Sequence, residues 1–379
     1  MIKTIAESIS GVDILLAKRE KDAVCISIIV PLHKPSPGKK ENKLILRKAI
    51  TAASQYLSEK YNGQISAPLL SSLDELAEIA DTGIHAEGLG LFVSNEVKLV
   101  IPFFQPVREK IIVSDSFEVR DVLYQNYYSA PYFVLHLTEK EVRLFEGKFE
   151  TLIELKEKFP IKYTDDYEYS RPSRGSSYVG SAFIKDFEQD KSRLVKLRYE
   201  SFLREADKAL SPYLGSKKQL VICGVESDMI SFKKHTNHGE NIIGQLVGNY
   251  TYETIHKLAA SAWKVVQRFY DEQKDKLIAE FKDLFGTERA ITGLVEIWRA
   301  ASEGRAYQLI VEKDYCQSGF IVAGESQELH LKPPVSLHYT RPDVVNDLMQ
   351  LVISKGGEVI IVENGLLEDY QHIVLLARY

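Results

Sequence analysis

Apolar positions in the first third of the chain change from a continuous run to a helical period. Residues 24–30 form a short run of apolar and β-branched side chains that ends at Pro31, which is typical of a buried strand. After a loop rich in Pro, Gly and Lys, apolar residues at spacings of four, three and four predict a helix whose buried face is Leu46, Ile50, Ala53 and Leu57. Short apolar runs predict further strands over 90–93, 97–101 and 110–113. We expect a mixed α/β domain over 1–126.

The middle of the chain has a different order of predicted elements. Three short runs predict a meander of strands over 132–137, 142–145 and 149–153. A tyrosine-rich loop follows, and then a helix whose apolar face is Val195, Tyr199, Phe202, Leu203, Ala206 and Leu210. Residues 219–223 predict a buried strand. Three antiparallel strands, a helix and a strand are the opening order of an RNase H-like domain, which we expect over 127–285.

The last part of the chain alternates between helical and extended periods. A three-four rhythm predicts one long helix over 255–284 that leads into it. A helix with Ile291, Leu294, Val295 and Trp298 is expected to stop at Gly304. Pro342 is expected in the first turn of a later helix that ends at Gly356-Gly357 and buries Val345, Leu348 and Val352. With strands predicted over 307–311, 358–362 and 372–377, we expect an α/β sandwich over 286–379.

Composition and charge limit the kind of partner. Of the 379 residues, 45% are hydrophobic and 27% are charged, as in ordinary globular proteins, and a chain of this length is expected to form two or three domains. The formal net charge of −5 argues against general attraction of the surface to nucleic acid. Any RNA contact must therefore come from local basic patches.

The cysteines and the first residues bear on location. Cys25, Cys223 and Cys316 are far apart and form no Cys-x-x-Cys pair, so neither a zinc ribbon nor a redox motif is expected. Reduced, mostly buried thiols fit a cytoplasmic protein. The start lacks the apolar core of a signal peptide, and no apolar run approaches the ~20 residues of a membrane helix. We expect a cytoplasmic protein that contacts no membrane.

Short motifs in the three segments occur in one characteristic order. They are ISIIVP at 26–31, GLGLFVS at 88–94, VLHL at 134–137, VRLF at 142–145, IGQLVGN at 243–249, AASEGRA at 300–306, KGGEV at 355–359 and LARY at 376–379. In order and spacing they resemble the archaeo-eukaryotic release factor and Pelota superfamily, and more closely its bacterial homologues. The resemblance covers essentially the whole chain.

The resemblance implies a fold and a set of partners. It implies an N-terminal domain that faces the decoding centre of the ribosome and an RNase H-like middle domain that reaches the peptidyl-transferase centre. It implies a C-terminal domain resembling kink-turn-binding ribosomal proteins, which in relatives often docks a GTPase. The ribosome, through ribosomal RNA and tRNA, is therefore the expected partner, and a translational GTPase is a further one. No DNA partner is expected.

Two departures separate this chain from factors that recognise stop codons. Such factors carry Asn-Ile-Lys-Ser before the long helix of the first domain, where this chain has the pentapeptide KENKL at 40–44. The Gly-Gly-Gln tripeptide that triggers peptide release is absent from the sequence, and the corresponding loop has Gly175-Ser176-Ser177. Both departures argue against codon-specific termination.

The projecting loop, defined as residues 163–180, is the first candidate site. Arg171 and Arg174 can each form two hydrogen bonds to RNA phosphates, and Gly175 lets the backbone approach closely. Together with Ser176 and Ser177 they form the tip of the loop. The alternative is a solvated loop in which nearby acidic residues offset the arginines. Since Ser is a poorer match than Gly-Gln for holding an activated water, we assign no catalytic residue.

A basic cluster at the start of the first long helix is the second candidate site. It consists of Lys39, Lys40, Lys43, Arg47 and Lys48. These residues can contact ribosomal RNA. A solvated face is the favoured alternative, because cations at a helix N terminus oppose the helix dipole. A similar set lies further on, at Arg193, Lys196, Arg198 and Arg204.

Other chemistries find little support in the sequence. His235, His238 and Glu240 are close in the chain, but their spacing matches no helical pair of metal ligands, so we expect a polar loop. A two-metal nuclease needs clustered carboxylates, usually one on the first strand, and residues 132–137 contain none. The sequence has no Walker loop and no dinucleotide fingerprint. We expect neither a metal nor a cofactor.

Three functions stay open on the sequence alone. The first is a ribosome-binding factor that occupies a vacant A site during rescue or dormancy, without codon-specific peptide release. The second is a peptidyl-tRNA hydrolase that uses an altered loop around residues 174–177. The third is a non-ribosomal interaction protein that has kept only the scaffold.

Overall fold

The computed structural model describes residues 8–16, 24–33, 39–61, 63–80, 86–163, 181–215, 218–322 and 328–379. The chain divides into two compact units. The first unit combines Met1–Ser129 with Gln273–Tyr379, and the second is Ala130–Glu272. The division into three domains stays a prediction. No helix in the described ranges is long and apolar enough to cross a membrane.

The described residues form nine α-helices and seventeen strands. The helices are α1 (Ser8–Leu16), α2 (Lys39–Lys60), α3 (Gly63–Ala80), α4 (Arg120–Tyr127), α5 (Ser181–Leu210), α6 (Glu226–His235), α7 (Ile255–Leu284), α8 (Leu294–Ser302) and α9 (Val344–Ser354). The strands of the first half are β1 (Cys25–Pro31), β2 (Gly88–Val93), β3 (Lys98–Phe103), β4 (Lys110–Ser114), β5 (Tyr132–Leu137), β6 (Glu141–Lys148), β7 (Thr151–Glu154) and β8 (Ile161–Lys162). Those of the second half are β9 (Leu220–Gly224), β10 (Ile242–Val247), β11 (Ala290–Thr292), β12 (Ala306–Glu312), β13 (Gly319–Val322), β14 (Leu329–His330), β15 (His338–Arg341), β16 (Glu358–Val362) and β17 (Ile373–Ala377).

The first unit contains an antiparallel sheet in the order β3-β2-β1-β4. Alternate residues of β1 belong to two different cores, because successive side chains of a strand face opposite sides of the sheet. Ile26, Ile28 and Val30 share a core with the apolar stripe of α2, Leu46, Ala49, Ala53 and Leu57. Cys25 and Ile29 belong to the core on the other side. The predicted buried strand and helix stripe are confirmed, except that Ile50 is only half-buried.

A second sheet of the first unit has the order β11-β17-β12-β16. β12 runs parallel to β16 and antiparallel to β17. One face packs against α8 and α9 through residues such as Leu309 and Leu375. The other face packs against the last turns of α7, where Phe281 joins Ile310 and Val374 in a core. A smaller sheet in the order β14-β13-β15 completes the unit's described strands.

Glycines end two helices as predicted, whereas two other boundaries differ from prediction. Gly304 and Gly356 follow α8 and α9 with φ angles of 77° and 74°, the left-handed conformation that commonly ends helices. Ile291 lies in β11 and not in α8. Pro342 lies outside α9, because the carboxylate of Asp343 accepts hydrogen bonds from the amides at the helix start and thereby caps it.

The second unit is built on one sheet in the order β10-β9-β5-β6-β7, with β8 paired to β6. β5, β6 and β7 form the predicted antiparallel meander, and β9 lies parallel to β5 after α5. The predicted opening order of three antiparallel strands, a helix and a strand is therefore present. α5 covers one face of the sheet, where Leu203 and Leu210 join the core with Leu135 and Leu144.

Candidate functional site

The tip of the projecting loop lies outside the described residues. Arg171, Arg174, Gly175, Ser176 and Ser177 all fall in the range 164–180, so their role stays a prediction. The structure does describe where the loop leaves the second unit and where it returns. β8 precedes it, and α5 begins at Ser181 immediately after it.

Tyr163 fixes the base of the loop. Its backbone N–H donates to the carbonyl of Lys140 at 2.7 Å, next to the start of β6. Its ring meets the ring of Phe202 on α5 edge-on, with a centroid separation of 5.6 Å. Because β8 is also paired with the start of β6, the base of the loop is held on the sheet and on α5 together. A loop held in this way starts from a defined position on the unit.

The stretch of α5 between the loop and its buried stripe is exposed and partly apolar. Three apolar side chains are about half exposed: Leu194 (48%), Val195 (45%) and Leu197 (54%). The exposed Arg193 and Lys196 lie among them in the sequence. The prediction that Val195 lies on the buried face is therefore wrong. The buried residues of the stripe begin at Phe202, where the helix reaches the sheet. Basic and apolar side chains exposed side by side are typical of a contact surface.

Further along α5, one cation has an acidic neighbour on the same helix. Arg204 lies 4.0 Å from the carboxylate of Glu200, one turn earlier. Arg198 is half-buried. Arg193 and Lys196 are exposed in the stretch before the buried stripe, while Arg204 stays 61% exposed beside Glu200.

The basic cluster of the first unit lies on α2. Lys39 and Lys40 belong to its first turn, and the side chains of these two residues lie outside the description. Lys43, Arg47 and Lys48 are exposed, and the first two are one turn apart on the helix. Leu44 is also exposed in this surface. The structure thus brings Lys43 and Arg47 to one exposed face, while their contact with RNA stays a prediction.

The histidines of the second unit have separate protein partners. His235 ends α6, and its Nε2 lies 3.9 Å from the carboxylate of Glu200. The Nε2 atom of His238 lies 3.2 Å from the hydroxyl oxygen of Ser211, and Glu240 is in an exposed turn. Among the residues that the structure describes, no group of three or more His, Cys, Asp or Glu is arranged to hold a metal ion.

Two ionisable groups of the second unit are kept neutral by burial. His136 is the polar residue of the first strand, β5, and burial lowers its pKa, with a smaller contribution from the nearby Arg143. Burial raises the pKa of Tyr199, and the nearby carboxylate of Asp228 adds to the rise. A neutral imidazole and a protonated phenol at these positions support packing of the sheet on α5 and α6.

A charged cleft in the first unit was not predicted from the sequence. It has a volume of about 240 Å³ and lies at the ends of β12 and β16. It is lined by Pro106, Val107, Arg108, Lys110, Asp121, Lys313, Asp314, Glu363 and Asn364. The signal that could have revealed it is the pair of polar dipeptides, 313–314 and 363–364, that directly follow the strands.

Comparison with protein families gives the decisive observation. The family model described as bacterial archaeo-eukaryotic release factor family 3 matches residues 131–305. Over these residues the chain is similar to that family. The predicted resemblance to the release factor and Pelota superfamily is confirmed. The family-3 segment, defined as residues 131–305, contains the whole range of the projecting loop together with α5, α6 and α7, and it ends after α8.

Solved structures give only distant similarities. The archaeal translation termination factor aRF1 is 14% identical, with 99% of each chain covered and a TM-score of 0.25. Dom34 of S. cerevisiae is 13% identical over 76% of this chain and 73% of its own, with a TM-score of 0.39. Pelota of Archaeoglobus fulgidus is 15% identical over 75% of both chains, with a TM-score of 0.36. TM-scores this low support no inference about this protein. No curated protein gives a match to the sequence.

Proposed function

We propose that the protein is a ribosome-binding factor that occupies a vacant A site during rescue or dormancy and does not release peptide in response to a codon. The observation that supports the proposal is the match of the family-3 segment, whose range includes residues 163–180. In this proposal the protein acts in the cytoplasm and has no enzymatic activity of its own.

The altered loop supports binding without release. Release by a termination factor depends on Gly-Gly-Gln, and this sequence has Gly175-Ser176-Ser177 in its place. Hydrolysis of the ester needs a water that is held and activated at the reacting carbon. A serine side chain supplies neither the amide nor the backbone freedom of Gly-Gln. Arg171 and Arg174 retain the ability to bind phosphates.

Two described surfaces support contact with ribosomal RNA. Lys43 and Arg47 lie on the exposed face of α2, and Arg193 and Lys196 lie on the exposed part of α5. Because the net charge of the whole chain is −5, these local patches must supply the attraction to phosphates. Each surface also exposes leucine side chains, which can contact RNA bases or ribosomal proteins.

The domain identities and the second partner are part of the same proposal. We assign residues 1–126 to the decoding-centre domain, 127–285 to an RNase H-like domain and 286–379 to a domain resembling kink-turn-binding ribosomal proteins. A translational GTPase is proposed to dock on the last of these. The S. cerevisiae Dom34 is described as interacting with Hbs1.

Co-sedimentation with purified ribosomes tests the proposal. The protein should pellet with vacant ribosomes, and its affinity should fall steeply as salt rises, because phosphate contacts release counterions. Replacing Lys39, Lys40 and Lys43 together by Glu should weaken binding. A matched variant, with Lys332, Lys355 and Lys276 replaced by Glu, should bind as the parent does. Binding that is insensitive to salt and to the first variant would contradict RNA contact by α2.

The two rival functions give different results in such experiments. A non-ribosomal interaction protein would stay in the supernatant at every salt concentration. A peptidyl-tRNA hydrolase would bind and also release peptide. The first rival is thus separated by sedimentation and the second by a release assay.

A further inference from the structure

The charged cleft of the first unit lies at the carboxyl ends of two neighbouring strands. β12 and β16 are adjacent and parallel, so their carboxyl ends meet at one edge of the sheet. Lys313 and Asp314 follow β12, and Glu363 and Asn364 follow β16. In mostly parallel α/β sheets, ligands bind in the crevice outside the carboxyl ends of the strands. The pair of β12 and β16 has this arrangement locally, although the sheet as a whole is mixed. The rest of the lining is formed by Asp121 of α4 and by Pro106, Val107, Arg108 and Lys110.

Part of the lining is already neutralised by internal ion pairs. The ammonium of Lys110 lies 2.6 Å from the carboxylate of Asp121, whose side chain is 5% exposed. At the mouth of the cleft, Arg108 lies 2.9 Å from Asp314. Asn364 donates to the same Asp314 carboxylate at 2.7 Å. Lys110 and Asp121 hold each other in place, and Asn364 orients the Asp314 carboxylate, whereas the Arg108 side chain is 78% exposed.

Lys313 and Glu363 are the lining charges without such an ion pair. The ammonium of Lys313 lies 4.2 Å from the ring centroid of Tyr124, a cation–π contact. The hydroxyl of the same Tyr124 donates to Glu363 at 2.5 Å. In the described part of the chain, no carboxylate lies within the 4.0 Å of a salt bridge to Lys313. The cleft therefore presents one cation and one carboxylate that contact a neutral ring between them.

We propose that this cleft binds a small zwitterion with one carboxylate and one ammonium group, of the α-amino-acid class. The ligand carboxylate pairs with Lys313 and the ligand ammonium pairs with Glu363. The proposal goes beyond ribosome binding and does not depend on it.

The charges of the lining favour a zwitterion over a simple ion. Three cations, Arg108, Lys110 and Lys313, face three carboxylates, Asp121, Asp314 and Glu363. A phosphate or a polyamine would pair with one set and meet repulsion from the other. A zwitterion pairs with both Lys313 and Glu363 and leaves the ion pairs within the lining intact.

The size of the cleft limits the ligand to a small metabolite. Its volume of about 240 Å³ is below the range of roughly 300–1,000 Å³ that is usual for drug-sized ligands. With charged residues as most of its lining, affinity comes from ion pairs and hydrogen bonds and not from apolar contact. Free amino acids have this size and this charge pattern.

Isothermal titration calorimetry with the full chain tests the proposal. The probes are L-serine, L-glutamate and L-lysine, with N-acetyl-L-serine, L-serine methyl ester and inorganic phosphate as controls. At least one amino acid should bind at millimolar concentration or below. Removing either charge of the ligand should weaken binding at least about tenfold, the loss expected of one charge-assisted hydrogen bond.

Variants of the two free charges give the matching result on the protein side. Lys313→Gln and Glu363→Gln should each weaken binding at least about tenfold. Lys332→Gln and Glu288→Gln, exposed residues of the same unit outside the cleft, should bind as the parent does. The absence of binding by all three amino acids would overturn the proposal. So would binding of phosphate or N-acetyl-L-serine as tight as that of L-serine, or binding that survives both cleft variants.

Discussion

The guanidinium of Arg120 lies 2.7 Å from the carboxylate of Asp343, and this ion pair joins residues that are 223 positions apart in the chain. The Arg120 side chain is 5% exposed and that of Asp343 is 18% exposed. Nearby, Asn346 donates to the carbonyl of Phe117 at 2.9 Å and accepts from the amide of Val119 at 3.1 Å. The beginning and the end of the chain are thus joined inside the first unit by buried polar contacts.

We expect Asp343→Ala to destabilise the first unit strongly. The change removes the cap of α9 and leaves the buried charge of Arg120 without its carboxylate. Breaking a buried pair in this way costs about 3–5 kcal/mol. Urea unfolding should show this loss in the free energy of unfolding. Glu296→Ala, which breaks an exposed pair with Arg299, should change it by less than about 0.5 kcal/mol. Equal effects of the two changes would contradict the importance of the buried pair.

Asp347 should make the stability of the first unit depend on pH. Burial raises its pKa from 3.8 to about 6, and the neighbouring carboxylates of Asp115 and Asp343 add to the rise. Arg341 and a hydrogen bond from Ser116 oppose it but do not cancel it. Because the folded state binds this proton more tightly than the unfolded state, protonation stabilises the fold at low pH. That stability is lost as the pH rises through about 6.

Asp347→Asn tests this pH dependence. At pH 8 the variant should be more stable than the parent, by up to about 3 kcal/mol, because it lacks the buried charge. Near pH 4 the two proteins should have similar free energies of unfolding. Asp369→Asn, a change on the surface, should show the same change in the free energy of unfolding between pH 4 and pH 8 as the parent. The raised pKa would be contradicted if the parent lost no stability relative to Asp347→Asn between pH 4 and pH 8.

The three thiols should differ in reactivity. Cys25 and Cys223 are buried, and burial raises the pKa of Cys223 to about 12, whereas Cys316 is exposed. The thiolate is the reactive form. At pH 8, Ellman's reagent should therefore modify Cys316 first, and Cys316→Ser should remove the fast phase. Partial burial also raises the pKa of Cys316, with Asp343 adding to the rise, so its rate should continue to increase above pH 9. A fast phase that survives in Cys316→Ser would contradict this order.

The arginines of the projecting loop should contribute to ribosome affinity. Each can form a charge-assisted hydrogen bond to a phosphate, which contributes about 1.5–3 kcal/mol. Arg171→Ala combined with Arg174→Ala should therefore weaken binding in a gradient assay, with little change in stability. Arg289→Ala combined with Arg299→Ala removes two exposed arginines outside this loop and should bind as the parent does. The same affinity for both double variants would exclude a contact by the loop arginines.

Most of the predicted elements have a clear apolar period, but such a period was also overlooked in α3, where the buried Leu69, Leu73 and Leu76 lie at spacings of four and three. The stripe of α2 and the continuous run of β5 are buried as predicted. α6 was missed because its polar sequence places few apolar residues on one face, Met229 and Phe232. β10 was missed as a strand because it is a partly exposed edge strand. Strands of two to four residues, such as β14 and β15, carry too short a pattern.

The candidate sites were predictable only where they are continuous in sequence. The α2 cluster and the projecting loop are each one stretch of chain, so composition and the family resemblance indicated them, and their contact with RNA stays a prediction. The cleft depends on Asp314 and Asn364, which form hydrogen bonds across 50 positions. Arg120 and Asp343, which form an ion pair, are 223 positions apart. No local pattern encodes such contacts, because they arise from the arrangement of strands in the folded unit.

Ribosomes that carry labelled peptidyl-tRNA give the most direct test of binding without release. The purified protein is added to stalled ribosomes and to ribosomes stopped at a stop codon, and bound protein and free peptide are measured in the same sample. We predict that the protein binds in competition with A-site ligands and that free peptide stays at background. Release above background that disappears when Ser176 and Ser177 are changed to Ala would contradict this and establish a peptidyl-tRNA hydrolase.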